Sequence, residues 1–264
     1  MINIENVRTD AFEMRYFRFG TGDRTMVILP GLSVKSVMES ADAIAAGYGM
    51  FGNDYTVYVF DRRTDLPDRY NVYDMAHDTE AAFDELGIRG AFVFGTSQGG
   101  MIAQVIAAER PELVGKAVLG STAARLSENT EKLIREWSRL AANGDAEGLV
   151  NSFAETVYSE EYRRKYEGAF RVLPRLISAD ELQRFAILSG GTGDFDLYDE
   201  LDRIKCPVLV LGAGKDRVLG AEGSEVIAAK VKNSELYIYP EGSHAAYDEE
   251  SDYKERIQEF FGKQ

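Results

Sequence analysis

Apolar residues in this chain gather in short runs that end on glycine or proline, and the segments between the runs carry apolar residues at helical spacing. Thr25-Met-Val-Ile-Leu-Pro-Gly-Leu-Ser33, Tyr55-Thr-Val-Tyr-Val-Phe60 and Phe92-Val93-Phe94 read as buried strands, rich in β-branched and aromatic side chains. Gly115 to Ser121, Val208 to Leu211 and Glu235 to Tyr239 repeat the pattern further on. Between them, Tyr73 to Leu86 is an amphipathic helix with Met75, Ala76, Ala82, Phe83 and Leu86 on its buried side, and Gly87 and Gly90 mark its exit. Met101, Ile102, Val105 and Ile106 recur at helical spacing as far as Arg110; Ala221 to Ala229 and Tyr253 to Phe261 predict two more helices. Residues 11 to 18 alternate well enough for an antiparallel edge strand, followed by a turn at Gly20-Thr-Gly22-Asp. Strand and helix in alternation predict a parallel sheet covered by helices. Residues 126 to 200 break the rhythm: helix formers, charges and aromatics dominate there, with amphipathic stretches at Lys132–Leu140 and Leu149–Tyr158.

Composition narrows the possibilities without changing the fold. A chain of 264 residues suffices for one large α/β domain, and no Ser/Pro-rich linker or internal repeat divides it. A formal net charge of −14 argues against nucleic acid as a partner, because phosphate binding needs clustered Lys and Arg. No apolar stretch approaches the length that spans a bilayer, so no membrane partner is expected. The first residues, Met1 to Arg8, are charged where a signal peptide needs a continuous apolar run. Together with a single cysteine, Cys206, which excludes an internal disulfide, this predicts a cytoplasmic protein. Nothing in the sequence sets an oligomeric state.

The change from strand to helix is sharpest within Ala91 to Gln104, and Ser97 stands at the change. Gly95-Thr-Ser97-Gln-Gly99 has the form G-x-S-x-G. A strand that turns straight into a helix forces its corner residue into strained backbone, and side chains two before and two after it would collide with neighbouring chain. Glycines at 95 and 99 remove that collision and lift the Ser97 hydroxyl above the sheet edge, at a helix start that favours developing negative charge. An ordinary glycine-rich turn is the other reading of these five residues.

With a strand before it and a helix after it, this stretch resembles the nucleophile elbow of the α/β-hydrolase fold family of serine hydrolases. The likeness extends over nearly the whole chain outside about residues 125 to 200. It implies an α/β fold with a mostly parallel eight-stranded sheet flanked by helices. Residues 1–125 and 201–264 would form the core, and 126–200 a helical cap inserted after the sixth strand. The order Ser97, Asp216, His244 matches the nucleophile, acid and base of the family. Asp216 follows the strand after which the family places its acid, although Asp194, Asp196 and Asp248 also lie near plausible loops. The strand ending at Ser121-Thr122-Ala123 offers no carboxylate, which moves the acid to a later strand. His77, the other histidine, falls on a helix before the serine, so chain order favours His244.

The family also implies an oxyanion hole made by the backbone N–H groups of Leu32 and Gln98. Two departures from its pattern affect loop shape: Pro30 stands where a histidine is common, and Asp61-Arg62-Arg63 lacks the glycine of an Asp-x-Arg-Gly segment. In the cap, Trp137, Phe153, Tyr158 and Phe170 are candidates for a substrate pocket, with packing of cap onto core as the alternative for each. Arg171, Arg175 and Arg184 offer a receptor for a substrate carboxylate, or merely solvated helix faces.

Serine needs a base within hydrogen-bond reach to attack an acyl carbon, and imidazole titrates in the right range to take and return that proton. The expected activity is hydrolysis of a small or medium carboxylic ester, lactone or thioester through an acyl-enzyme, as in compact esterases and enol-lactone hydrolases, with a small-molecule acyl substrate as partner. The same triad also serves acyltransferases and carbon–carbon bond hydrolases, and a non-catalytic binding protein on the same scaffold is a third reading. Serine rather than aspartate at residue 97 points away from the dehalogenases and epoxide hydrolases of this fold. No metal or organic cofactor is expected: no Cys/His cluster appears, and Gly212-x-Gly214-Lys fails as a phosphate loop because Leu209 and Asp216 occupy positions that need Gly and Ser/Thr.

Overall fold

Each apolar run becomes a strand of one sheet; burial on both faces explains why the inner runs are continuous rather than alternating, while the run at 235–239 forms an edge strand in which only Tyr239 is buried. The computed structural model describes residues 1–263. Its first half contains β1 (Ile4–Arg8), β2 (Glu13–Phe19), β3 (Arg24–Leu29), α1 (Ala41–Gly47), β4 (Tyr55–Arg63), α2 (Val72–Leu86), β5 (Ala91–Thr96), α3 (Gln98–Glu109) and β6 (Val114–Gly120). Helices follow without a strand: α4 (Glu128–Ala142), α5 (Ala146–Val157), α6 (Glu160–Lys165), α7 (Glu167–Val172) and α8 (Ala179–Gly190). The chain then returns to the sheet through β7 (Val208–Ala213), α9 (Gly220–Lys230), β8 (Ser234–Tyr239), α10 (Ala246–Glu249) and α11 (Tyr253–Gly262).

The eight strands lie in the order β1-β2-β4-β3-β5-β6-β7-β8. β1 with β2 and β2 with β4 are antiparallel, and every later pairing is parallel. Register brings the carboxyl ends of the parallel strands to one rim: Leu29 pairs with Gly95, Thr96 with Gly120, Gly120 with Leu211 and Ala213 with Tyr239. Loops leaving that rim are where ligands bind in open α/β sheets.

One apolar layer joins the sheet to α2, α3 and α9 around Val93, Met75, Ile102 and Ile227. The other joins it to α11 around Phe17, Val57, Phe94, Tyr253 and Phe261. α3 is sheathed by protein along nearly its whole length, and its alanines at 103, 107 and 108 allow close packing. A third cluster, with Ile134, Trp137, Leu149, Leu182 and Phe185, packs the helices between β6 and β7 onto Val218 and Ala245, in the loops after β7 and β8. An isolated antiparallel bridge between Arg125 and Asp196 ties together the two ends of that helical segment.

The fold expected from the sequence is present, with instructive differences at its margins. Residues 11 to 18 do form a strand, but β2 lies inside the sheet; the edge is β1, whose only buried side chain is Val7. Charges suit an exposed edge, where they discourage pairing with another chain, and they hid β1 from a reading based on apolar runs. β3 stops at Leu29, at the Pro30-Gly31 turn where the sequence pattern ends the strand. β4 runs past Phe60 through Asp61 and Arg62, both buried. The turns and short helix between Ser36 and Gly52 carry no strong apolar stripe and had no sequence signal.

Candidate active site

Ser97 adopts φ 51° and ψ −121°, a backbone region costly for a side-chain-bearing residue, at the junction of β5 and α3. Two glycines make this corner possible. A Cβ on Gly95 would stand 2.5 Å from the Gly99 carbonyl oxygen, and one on Gly99 would overlap the Leu29 carbonyl. The Ser97 N–H donates to Gly120 O at 2.9 Å and its carbonyl accepts from Thr122 Oγ1 at 2.8 Å, so β6 and the loop after it hold the turn. Of residues 95 to 99, Ser97 alone keeps appreciable accessible surface.

His244, in the loop after β8, directs Nε2 at Ser97 Oγ across 3.0 Å and Nδ1 at Asp216 Oδ2 across 2.8 Å. Asp216 lies just beyond β7; its other oxygen accepts from the Val218 and Leu219 N–H groups at 2.8 and 2.9 Å. The acid and imidazole side chains are only 1% and 4% exposed, so water does not compete for their bond. Burial alone would raise the Asp216 pKa, but the adjacent His244 and the two backbone donors hold it below the usual carboxylate range. A carboxylate fixed in this way favours the His244 tautomer with its proton on Nδ1, leaving Nε2 to accept from the serine hydroxyl.

The structure thus brings Ser97, Asp216 and His244 together. It does not bring Asp194 or Asp196 to them, and Asp196 instead lies 3.7 Å from Arg125. Asp248 stands in a neighbouring cavity. His77 is on α2 with Nε2 2.9 Å from Glu109 Oε2, at the far end of α3 from Ser97. His77, Glu80 and Glu109 place ligating atoms within 4.8 Å of one another, a grouping separated from the serine by the length of a 12-residue helix, roughly 17 Å at 1.5 Å per residue.

Gln98 follows Ser97 in the chain, and Leu32 lines the same narrow chamber as the serine. Gly31 packs directly on the serine, where a Cβ would come within 3.1 Å of Ser97 Cβ. Among the described residues, neither the Leu32 nor the Gln98 N–H donates to another backbone carbonyl, and the first N–H of a helix has no intrahelical partner in any case.

Arg62 anchors the segments that carry these two N–H groups, in a way the sequence did not reveal. Its Nη2 donates to Pro30 O at 2.8 Å and to Gln98 Oε1 at 3.0 Å, so one buried guanidinium fixes the loop before Leu32 and the side chain of Gln98. Gln98 Nε2 in turn donates to Leu188 O and Thr192 Oγ1, linking the elbow to the end of α8. Arg184 donates to Asp61 Oδ1 at 3.2 Å and to Arg62 O at 3.0 Å, and Arg171 pairs with Glu167. These two arginines are therefore engaged by the protein itself rather than held out for a substrate carboxylate.

One chamber is lined by the serine itself, and a second lies beside it. The narrower, of about 30 Å³, is lined by Ser97, His244, Trp137 and Phe153; the wider, of about 460 Å³, by Phe153, Tyr158 and Phe170 among others. Gly31, Leu32, Phe153 and Tyr247 wall both. Trp137 also packs tightly, its ring 4.9 Å from Phe153 and its Nε1 donating to Ser152 Oγ, so packing and lining are not alternatives for it.

A family model for the alpha/beta hydrolase fold matches residues 25–251, and the chain belongs to that family. Among curated relatives, a protein of Klebsiella pneumoniae subsp. pneumoniae named "Putative carbamate hydrolase RutD" is 28% identical over 192 residues, covering 68% of each chain. The 3-oxoadipate enol-lactonase 2 of Acinetobacter baylyi is 24% identical over 240 residues, covering 88% of this chain and 86% of its own. Among solved structures, MGS-M2, an alpha/beta hydrolase enzyme from a Medee basin deep-sea metagenome library, superposes with a TM-score of 0.90 at 21% identity, covering 98% of both chains. Among the described residues, no helix is long and apolar enough to cross a membrane.

Proposed function

We propose that this protein hydrolyses a small or medium carboxylic ester, lactone or thioester, with Ser97 as nucleophile, His244 as general base and acid, and Asp216 as the group that orients the imidazole. The observation that carries the reading is the unbroken line of short contacts from Asp216 through His244 to Ser97. His244 takes the hydroxyl proton as Ser97 Oγ attacks the acyl carbon, then returns it to the leaving oxygen or sulfur. The carbonyl oxygen gains its charge between the Leu32 and Gln98 N–H groups, each worth about a hundredfold or more in rate. Water, deprotonated by His244, then releases the acid and restores the serine. The helices from 126 to 200 act as a cap whose Trp137, Phe153, Tyr158 and Phe170 shape the substrate pocket.

The relatives' names support hydrolysis at a carbonyl carbon, of an enol-lactone in one case and a carbamate in the other. A carbamate is the second reading, since it presents the same carbonyl to the same serine.

A series of p-nitrophenyl esters tests the proposal. Short and medium acyl chains should turn over at least about tenfold faster than dodecanoyl, because the chambers beside the serine are of limited size. The product should be the free acid even with alcohols and thiols added. Preferential transfer of the acyl group to the added acceptor would make the protein an acyltransferase.

A further inference from the structure

The wider chamber has a chemistry of its own. Much of its wall is apolar, from Ile28, Val59 and Phe94, yet Asp248 also lines it, on α10 four residues after His244. Asp248 is exposed, and it is one of the residues that line the chamber. Tyr48, Tyr158 and Tyr247 line the same space. Burial first, and the charge of Asp248 second, push all three phenols above their ordinary range, so they stay neutral beside the carboxylate.

Among the described residues, that carboxylate has no counter-charge in ion-pair contact. Burial pushes the Asp248 pKa up to about 6, opposed by Lys254 and reinforced by Glu249, with no hydrogen bond offsetting the cost. Lys254 lies against the Tyr48 ring, its ammonium 4.8 Å from the centroid, and acts on Asp248 without an ion-pair contact. Lys35, the cation that lines the chamber, is held by Glu181 at 2.9 Å and Glu39 at 3.1 Å. Glu249 accepts from Ser159 N and Ser243 Oγ. A carboxylate among aromatic rings on an apolar floor is the environment that recognises an organic cation, through ion pairing and attraction to ring faces.

We propose that the wider chamber is a subsite for a positively charged group, a protonated amine or quaternary ammonium on the acyl or alcohol arm of the substrate, with Asp248 as counter-charge and Tyr48, Tyr158 and Tyr247 as aromatic walls. Its role as a substrate subsite rests on the reading of Ser97 as nucleophile, because Phe153 and Tyr247 are shared with the chamber that holds the serine. The formal net charge of −14 acts in the same direction, concentrating cations near the protein and repelling anions.

Choline and 3,3-dimethyl-1-butanol test this, since they share a shape and differ in charge. Titration calorimetry on the full chain at low salt should give choline an affinity at least about tenfold higher. In Asp248→Asn the preference should fall to within about twofold, and in Asp248→Glu it should be partly retained; melting curves establish that both variants are folded. Equal binding of the two probes to the native protein, or a preference unchanged in folded Asp248→Asn, overturns the subsite. Fluorophosphonate labelling of the same native sample separates this from the proposed function. Labelling at Ser97 with equal binding removes the subsite alone, whereas choline preference with no labelling supports a cation-binding chamber and removes both the serine hydrolase reading and the chamber's role as a substrate subsite.

Discussion

Ser97→Ala should lower kcat for p-nitrophenyl acyl esters by at least about 10⁴-fold, a loss of roughly 5.5 kcal/mol in transition-state stabilisation. The size follows from the role, because without Oγ there is no acyl-enzyme and water must attack unaided between the oxyanion donors. Folding should be little changed. The hydroxyl's hydrogen bond is to His244, and the constraints that hold the corner come from the backbone of residue 97 and from Gly95, Gly99 and Thr122. Alanine is strained at φ 51° much as serine is. Steady-state rates and a melting curve on the same preparation check this. A variant that keeps more than a hundredth of the native rate, with a matching melting temperature, would remove Ser97 from the reaction.

Asp216→Asn should cost about 10⁴-fold in kcat while leaving the fold intact. The argument lies in which atoms the carboxylate uses. One oxygen accepts from the Val218 and Leu219 N–H groups, so an asparagine must place its own carbonyl there and turn its NH₂ toward His244. The amide then donates to Nδ1, which moves the imidazole proton to Nε2, opposite the serine hydroxyl. Nε2 can no longer accept, and the base is lost with every side chain still in position. A kcat within tenfold of native would mean that His244 does not depend on Asp216 for its tautomer.

Residues near one another in sequence explain what could be read early. The glycines at 95 and 99 betray the Ser97 corner because a steric requirement local to five residues leaves a local pattern. The strands were legible for the same reason: burial on both faces writes an unbroken apolar run. Asp216 was harder, since several aspartates follow strands and only the close approach of His244, 28 residues later, distinguishes it.

What escaped the sequence is held together by contacts between distant segments. Arg62 meets Gln98 36 residues away, and Arg184 meets Asp61 at a separation of 123, so each reads alone as an ordinary surface charge. β1 was missed because an edge strand tolerates charge. Tyr48 and Asp248 meet at one chamber only once α1 and α10 pack against the sheet rim, and neither short helix carries a periodic apolar stripe. Local rules pointed to Ser97; the surroundings of that residue depend on tertiary packing.

The most direct measurement is peptide mass spectrometry after reaction with a fluorophosphonate probe, which bonds covalently to an activated serine oxygen. The account predicts stoichiometric modification of the peptide containing Ser97 in the native protein, and none at that peptide in Asp216→Asn on the same timescale. Labelling at another residue, or no labelling of a folded native sample, would contradict it.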